Sequence, residues 1–373
     1  MGAITEIFRA FGPQYLSRYP DMPLQHKKTI NAIINCRSGE FGVVVYQCDG
    51  CGKQHLVDRS CGNRHCPQCQ YLKSRQWLDT QLERRLPGHH FMLTFTVPEQ
   101  LRPFCRSHQQ AAYGAMFKAA SEAIKKLVKD PRFMGADLPG FTAVLHTWGR
   151  QMQYHPHLHL IVPAGGLSAD RNQWLPAANN FYLPVKALSK IFRAKFRDEM
   201  SQQKLVGAID PAVWKIDWNV NSQAVGDSEA TLKYLAPYIF RVAISDSRII
   251  DAKNGEVTFT YRKKESNRPR RTTIDTFEFI RRFLQHVLPP GFMKVRHYGF
   301  MSSNCVVSRT KLRLLVLTFL AALQGESVCL TDLSSPKNRK APMPKPRCRL
   351  CGGILLYLFS LIPGRPYPCR GST

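Results

Sequence analysis

The sequence predicts a mixed fold, α+β or α/β, in which a small cysteine-bearing module precedes a sheet covered by helices. Three observations lead there. Two CxxC pairs lie between Cys48 and Cys69. From His90 onward, apolar runs of strand length alternate with longer stretches of helical periodicity. The 373 residues, 44% of them hydrophobic, hold apolar material for a sizeable core and length for two or three domains.

Residues 3 to 37 carry two helix-like patterns, one on Ile4, Ile7, Phe8 and Phe11, the other on Ile30, Ile33 and Ile34. The run FGVVVYQC reads as a strand entering the cysteine cluster, and 71–86 as an amphipathic helix leaving it, which closes a first module at 1–86. A core at 87–255 follows, with strands FMLTFTV, FTAVLHTWG and HLHLIVPAGG and helices over 107–129 and 184–200. A helical segment over 228–240 and a strand VAISDSRII continue it. In the basic part at 256–335, EVTFTYR and the helix-like TFEFIRRFLQHVL flank RKKESNRPRRTT, and the Pro-, Lys- and Arg-rich tail at 336–373 reads as an irregular arm.

Lys and Arg number 53 against 26 Asp and Glu, a net charge of +27, and no acidic residue follows Asp332. Such a field attracts polyanions, so nucleic acid is the first candidate partner and an anionic membrane surface the second. The N-terminus lacks the pattern of a secretory signal, and ILLYLFSLI at 354–362 is too short to cross a bilayer. A cytoplasmic protein is expected, in which 12 Cys read as metal ligands or buried thiols before disulfides.

Cys48 and Cys51 form one CxxC and Cys66 and Cys69 another, with 14 residues between. Two such turns brought together present four thiolates to one structural Zn²⁺. His55, Cys61 and His65 stand in reserve as replacement or second-site ligands, and Cys348 and Cys351 read as half of another zinc site with Cys369. Arg59, Arg64, Lys73 and Arg75 in this module are placed to meet DNA phosphates, and Arg241, Arg270 and Arg271 extend the set.

In YHPHLHLIVP, His155, His157 and His159 recur at period two, so a strand turns them to one side and Leu158 and Leu160 into the core. His146, on the preceding strand, is the candidate third ligand. A divalent ion held by these imidazoles, Mg²⁺ or Mn²⁺, polarises a phosphate oxygen. Tyr234 and Tyr238 lie four apart, on one face of a helix. Beside a histidine-held ion, a tyrosine oxygen is suited to attack a phosphodiester.

These stretches resemble the two-tyrosine HUH rolling-circle transposases of bacterial insertion sequences, which carry an N-terminal transposase zinc-binding domain. The resemblance runs through CDGCG, SCGNRHCPQCQ, FTVPEQLRP, LHTWGRQMQYHPHLHLIVPAGGLS, YLAPYIFRVAIS, FEFIRRFLQHVLPPGFMKVRHYGF and CRLCGG. It implies an α+β fold: a helical, zinc-ribbon-like module, then an HUH endonuclease core of antiparallel sheet with helices, then a basic C-terminal region. It also implies metal ligation by His157 and His159 and nucleophiles at Tyr234 and Tyr238, with a 5′-phosphotyrosine intermediate. The implied partners are single-stranded ends of the protein's own mobile element and target DNA, met at the nucleoid, with no ATP, membrane or small-molecule substrate. Pro237, between the tyrosines, departs from the family pattern and removes one helical hydrogen bond. The competing readings are a non-catalytic zinc-dependent DNA-binding protein, an inactive transposase copy, and a two-metal hydrolase; the first leaves the histidine strand and tyrosine pair without a role, and the last gives no reason for the charge.

Overall fold

The computed structural model describes residues 2–178, 180–227, 229–233, 243–262, 268–325 and 346–364. In chain order the first elements are α1 (Ala3–Arg18), α2 (Leu24–Ile34), β1 (Val43–Cys48), β2 (Gln54–Asp58) and α3 (Pro67–Arg84). Then come β3 (His90–Thr96), α4 (Arg102–Ser107), α5 (Gln109–Val128), β4 (Leu138–Trp148), β5 (Tyr154–Pro163), β6 (Gly165–Leu167), β7 (Trp174–Pro176), α6 (Val185–Gln202) and β8 (Asn219–Ala224). The remainder forms β9 (Ile249–Lys253), β10 (Glu256–Arg262), β11 (Pro269–Asp275), α7 (Thr276–Leu284), β12 (Val295–Gly299), α8 (Arg309–Gln324) and β13 (Leu355–Leu361). Among the described residues no helix is long and apolar enough to cross a membrane.

The chain divides into two compact units, one of Met1–Lys73, Phe240–Val287 and Lys337–Thr373, the other of Ser74–Ile239 and Leu288–Pro336. Both are discontinuous in sequence. Strand pairing and helix packing join segments that local patterning cannot connect.

In the first unit, β13, β1 and β2 form an antiparallel sheet, and β9, β10 and β11 an antiparallel meander. α1 packs on α2 and on α7, where Phe8 meets Phe283 edge to face at 5.0 Å. The Asp275 carboxylate caps α7 by accepting from the Phe277 and Glu278 amides. Two expectations are corrected here. Among its described residues, 243–250, the run VAISDSRII is strand only from Ile249; Asp246–Arg248 form a 3₁₀ turn, and the Asp246 side chain accepts the Ile4 amide of α1 instead of entering a ladder. The tail is not wholly an irregular arm, since its apolar run forms β13 and completes the sheet through β1.

The second unit is built on one antiparallel sheet of order β7-β6-β4-β5-β3-β8, with β12 also paired to β4. Side chains alternate across it. Phe91, Leu93 and Phe95 of β3, Phe141, Ala143 and Leu145 of β4, and Leu158, Leu160 and Val162 of β5 enter the main core with Tyr113 and Phe117 of α5 and Phe192 and Phe196 of α6. Each of the buried Leu, Val and Phe side chains among them contributes about 1.5–3 kcal/mol. The opposite face therefore receives the residues between them. It carries Met92, Thr94 and Thr96, then Thr142, Val144 and His146, then His157, His159 and Ile161, which the ladder registers bring side by side. The fold is α+β, as the sequence and the resemblance imply.

Candidate metal centre and cysteine clusters

β4 and β5 bring the histidines together. His146 stands directly opposite His157 in the ladder, and His159 is one pleat along the same face. The ring centroids of His146 lie 5.4 Å from those of His157 and 4.8 Å from those of His159, and His157 and His159 are 4.8 Å apart. One ring nitrogen from each falls within 4.8 Å of the others, a spacing that suits three ligands of one ion.

Outer contacts orient two of the rings. His157 Nδ1–H donates to the His155 carbonyl at 2.7 Å, and His159 Nδ1 is hydrogen-bonded to Thr94 Oγ1 at 3.1 Å. Tying back Nδ1 leaves Nε2 as the donor toward an ion and fixes the tautomer. Burial, reinforced by the neighbouring imidazoles, holds His146 and His157 well below the ordinary imidazole range, and burial with His155 brings His159 down to about 4. All three are therefore neutral at pH 7, the form that ligates. No Asp or Glu joins this group among the described residues, so a divalent ion here would keep its full charge and open positions for anionic oxygens. His155 shares the strand but not the cluster: the Arg102 guanidinium donates to its Nδ1 at 3.0 Å.

Cations border this face. Trp148 stacks on His146 with centroids 5.2 Å apart, and Lys294 Nζ sits over the Trp148 ring at 5.8 Å. His297 of β12 is hydrogen-bonded to Thr142 Oγ1 at 2.9 Å, and burial followed by the charges of Arg84 and Arg309 lowers its pKa. Sequence reasoning missed this group, whose members come from α3, α8 and the stretch from Lys294 into β12; only MKVRHYGF offered a signal.

Tyr234, Tyr238, Pro237 and Arg241 lie outside the described residues. The segment leading to them is described. Residues 229–233 are helical, Leu232 is 5% exposed and packs with Ile161, and Trp77, Leu78, Leu82 and Met92 surround the pair. Arg85 ties the approach down through Asp227 at 3.0 Å and Glu229 at 3.2 Å.

The four cysteines that spacing assigned to one zinc site fall into two clusters. Cys66 and Cys69 group with Cys36 and Cys61, whereas Cys48 and Cys51 group with Cys348 and Cys351. The physical reason is that β2 and its return loop separate the two CxxC turns, while the β1 ladder carries the first turn to the tail strand. In the first cluster Cys36 Sγ is 3.6 Å and Cys61 Sγ 3.5 Å from Cys69 Sγ. Hydrogen bonds from the Cys61 and Cys66 thiols hold Cys69 far below the usual thiol range, and hydrogen bonds with Cys61 and then Cys69, together with burial, push Cys66 up. Four sulfurs held within 4.8 Å of one another in this way suit a thiophilic ion such as Zn²⁺. Cys36 was overlooked because no second cysteine stands near it; Cys61 was held in reserve. His65 is buried but belongs to neither cluster, and Cys369, expected to join Cys348 and Cys351, lies outside the described residues.

Of the candidate DNA-contacting residues, Lys73 and Arg75 are exposed on α3, and Arg270 and Arg271 on β11. Arg59 and Arg64 are half-buried, and burial pulls the Arg64 guanidinium down.

A family model described as "Transposase zinc-binding domain" matches residues 7–97, and one described as "Putative transposase" matches 140–309, which includes the three histidines. The chain is 35% identical over 321 residues to "Putative transposase y4qJ" of Sinorhizobium fredii, covering 81% of this chain and 80% of that one. The chain belongs to this transposase family. The transposase is also 27% identical over 362 residues to "Transposase for insertion sequence element IS801" of Pseudomonas savastanoi pv. phaseolicola, covering 90% of its own length and 83% of the relative's. No solved structure matches it. The zinc-binding match contains Cys36, Cys61, Cys66 and Cys69 entire, but ends far short of Cys348 and Cys351 in the transposase.

Proposed function

We propose that the protein is a DNA transposase that nicks and rejoins single-stranded DNA by metal-dependent attack of a tyrosine, in the rolling-circle manner. The observation that carries this reading is the trio His146, His157 and His159, neutral, with His157 and His159 oriented through Nδ1 and no carboxylate in the group among the described residues. Leu232, two residues before Tyr234, packs on Ile161, two residues after His159, which supports delivery of the tyrosine segment to the same sheet face.

When bound, a divalent ion, Mg²⁺ or Mn²⁺, supplies positive charge to a non-bridging oxygen of the scissile phosphate. The chain's own groups do the rest. His146, His157 and His159 would hold the ion where the reacting phosphate meets it, and Thr94 and the His155 carbonyl keep two of those rings in place. Lys294, Arg84, Arg309 and His297 accompany the neighbouring phosphates, with Arg59, Arg64, Lys73, Arg75, Arg241, Arg270 and Arg271 as further contacts for the polyanion.

The phenol oxygen of Tyr234 or Tyr238 forms a bond to phosphorus and loses its proton. The bond from phosphorus to the 3′ oxygen breaks, and that oxygen takes up a proton, leaving a 5′-phosphotyrosine and a free 3′-OH. Attack by a 3′-OH on this linkage restores the phosphodiester and the phenol without ATP. Two tyrosines permit two successive transfers on the ends of the element and on target DNA at the nucleoid.

The test is incubation of the purified protein and Mn²⁺ or Mg²⁺ with a labelled single-stranded oligonucleotide from its own element's end, run on a denaturing gel. A metal-dependent, protein-linked band that His157→Ala and the Tyr234→Phe, Tyr238→Phe double variant abolish supports the reading. DNA binding without any covalent band under either ion sinks it and leaves a non-catalytic zinc-dependent DNA-binding protein or an inactive copy.

A further inference from the structure

We infer that the C-terminal CxxC is not a separate half-site but the second knuckle of a four-thiolate zinc ribbon whose first knuckle is Cys48–Cys51, so that the folded chain holds two structural Zn²⁺. The two knuckles have the same construction. In one, the Gly52 amide donates to the Cys48 carbonyl at 3.0 Å and the Cys48 amide to Lys53 at 2.9 Å; in the other, Gly352 donates to Cys348 at 3.0 Å and Cys348 to Gly353 at 2.8 Å. Gly52 and Gly352, each following its second cysteine, both adopt left-handed backbone, φ 67° and 77°. The Leu350 amide also points at Cys348 Sγ, at 3.4 Å.

The knuckles face each other. Cys48 Sγ lies 3.3 Å from Cys351 Sγ and Cys51 Sγ 3.8 Å from Cys348 Sγ, with all four sulfurs within 4.8 Å. Asp49 locks the pair from both sides: its amide donates to the Ile354 carbonyl at 3.0 Å and its carboxylate accepts the Ile354 amide at 2.7 Å. Ladder pairing of Cys48 with Leu355 sets this register. Around it, among the described residues, the cluster has little apolar support, Leu355 and part of Tyr46, and Cys51 and Cys351 are exposed. A sheet edge so thinly packed is what metal binding characteristically supplies with folding free energy. His55 Nε2, 3.2 Å from Cys348 Sγ, is the outer group placed to donate to a bound thiolate.

Both sites are built from thiolates and closed, whereas the histidine cluster is open, so the inference stands apart from the proposed nuclease activity. Zinc per chain is measured on full-length protein purified under reducing conditions, in a His157→Ala, His159→Ala background so that the imidazoles contribute nothing. Two zinc ions per chain are expected, and one after Cys348→Ser with Cys351→Ser. Cys351→His is the control for folding: it retains two metals, and on Co²⁺ substitution its charge-transfer band loses intensity relative to the parent. One zinc in the parent, two in the double serine variant, or a Cys48–Cys351 disulfide in place of metal would each overturn the inference.

Discussion

Leu232 and Ile161 bury each other on the sheet face that carries His157 and His159. The contact is the described link between the strand that carries His157 and His159 and the segment running on to Tyr234. Leu232→Ala therefore costs about 2–5 kcal/mol locally. It is expected to lower adduct formation at least tenfold while Mn²⁺ affinity, set by residues of β4 and β5, changes little. Calorimetric Mn²⁺ titration beside adduct yield checks this; equal loss in both would make the contact merely part of the general fold.

Thr94→Val keeps the shape of the β3 side chain but removes the hydrogen bond to His159 Nδ1. Loss of an outer-shell partner typically weakens a metal site by about 10–100-fold. Mn²⁺ affinity should fall by that order with the thermal midpoint nearly unchanged. Unaltered affinity would show that His159 needs no orienting partner.

Acid should destabilise the second unit partly through His90. Its ring is 3% exposed, its Nδ1–H donates to the Gly88 carbonyl at 3.0 Å, and burial, aided by Arg85 and His89 against Asp227, brings its pKa down to about 4. A depressed folded value means that the unfolded chain binds the proton first. This contribution is complete above the ordinary value near 6.5 and is lost as pH falls toward 4, about 2 kcal/mol by pH 5. Denaturant unfolding of His90→Gln should show a pH dependence between 7 and 5 shallower by that amount. Parallel curves for parent and variant would contradict it.

Zinc removal should free the tail. If a protease site is inserted between 337 and 345, the cut C-terminal piece should co-elute with the body in zinc and separate after chelation. Co-elution in chelator would mean that the β1–β13 ladder suffices without metal.

The histidine face was legible because its signal is local. Period two in YHPHLHLIVP dictates which side of β5 each residue takes, and His146 needed only the assumption of an antiparallel neighbour, which the ladder meets. Zinc ligation was legible in kind and not in pairing. CxxC spacing announces a knuckle but carries no information about which knuckle it faces, and Cys48 meets Cys351 across 303 residues. The same blindness to distant partners made ILLYLFSLI an arm rather than a strand, since the partner that makes it β13 is β1. It also hid the cations near His297, which converge from three separate stretches. VAISDSRII failed differently: its β-branched residues favour a strand, but Asp246 is recruited as acceptor for the start of α1.

The most direct measurement of the central claim is mass spectrometry of the peptide cross-linked to DNA after reaction of the parent protein with a single-stranded element end and Mn²⁺. The account predicts a nucleotide joined through its 5′ phosphate to Tyr234 or Tyr238, absent when the metal is chelated. Cleaved DNA with no linked peptide, or linkage to any residue other than these two, would contradict it.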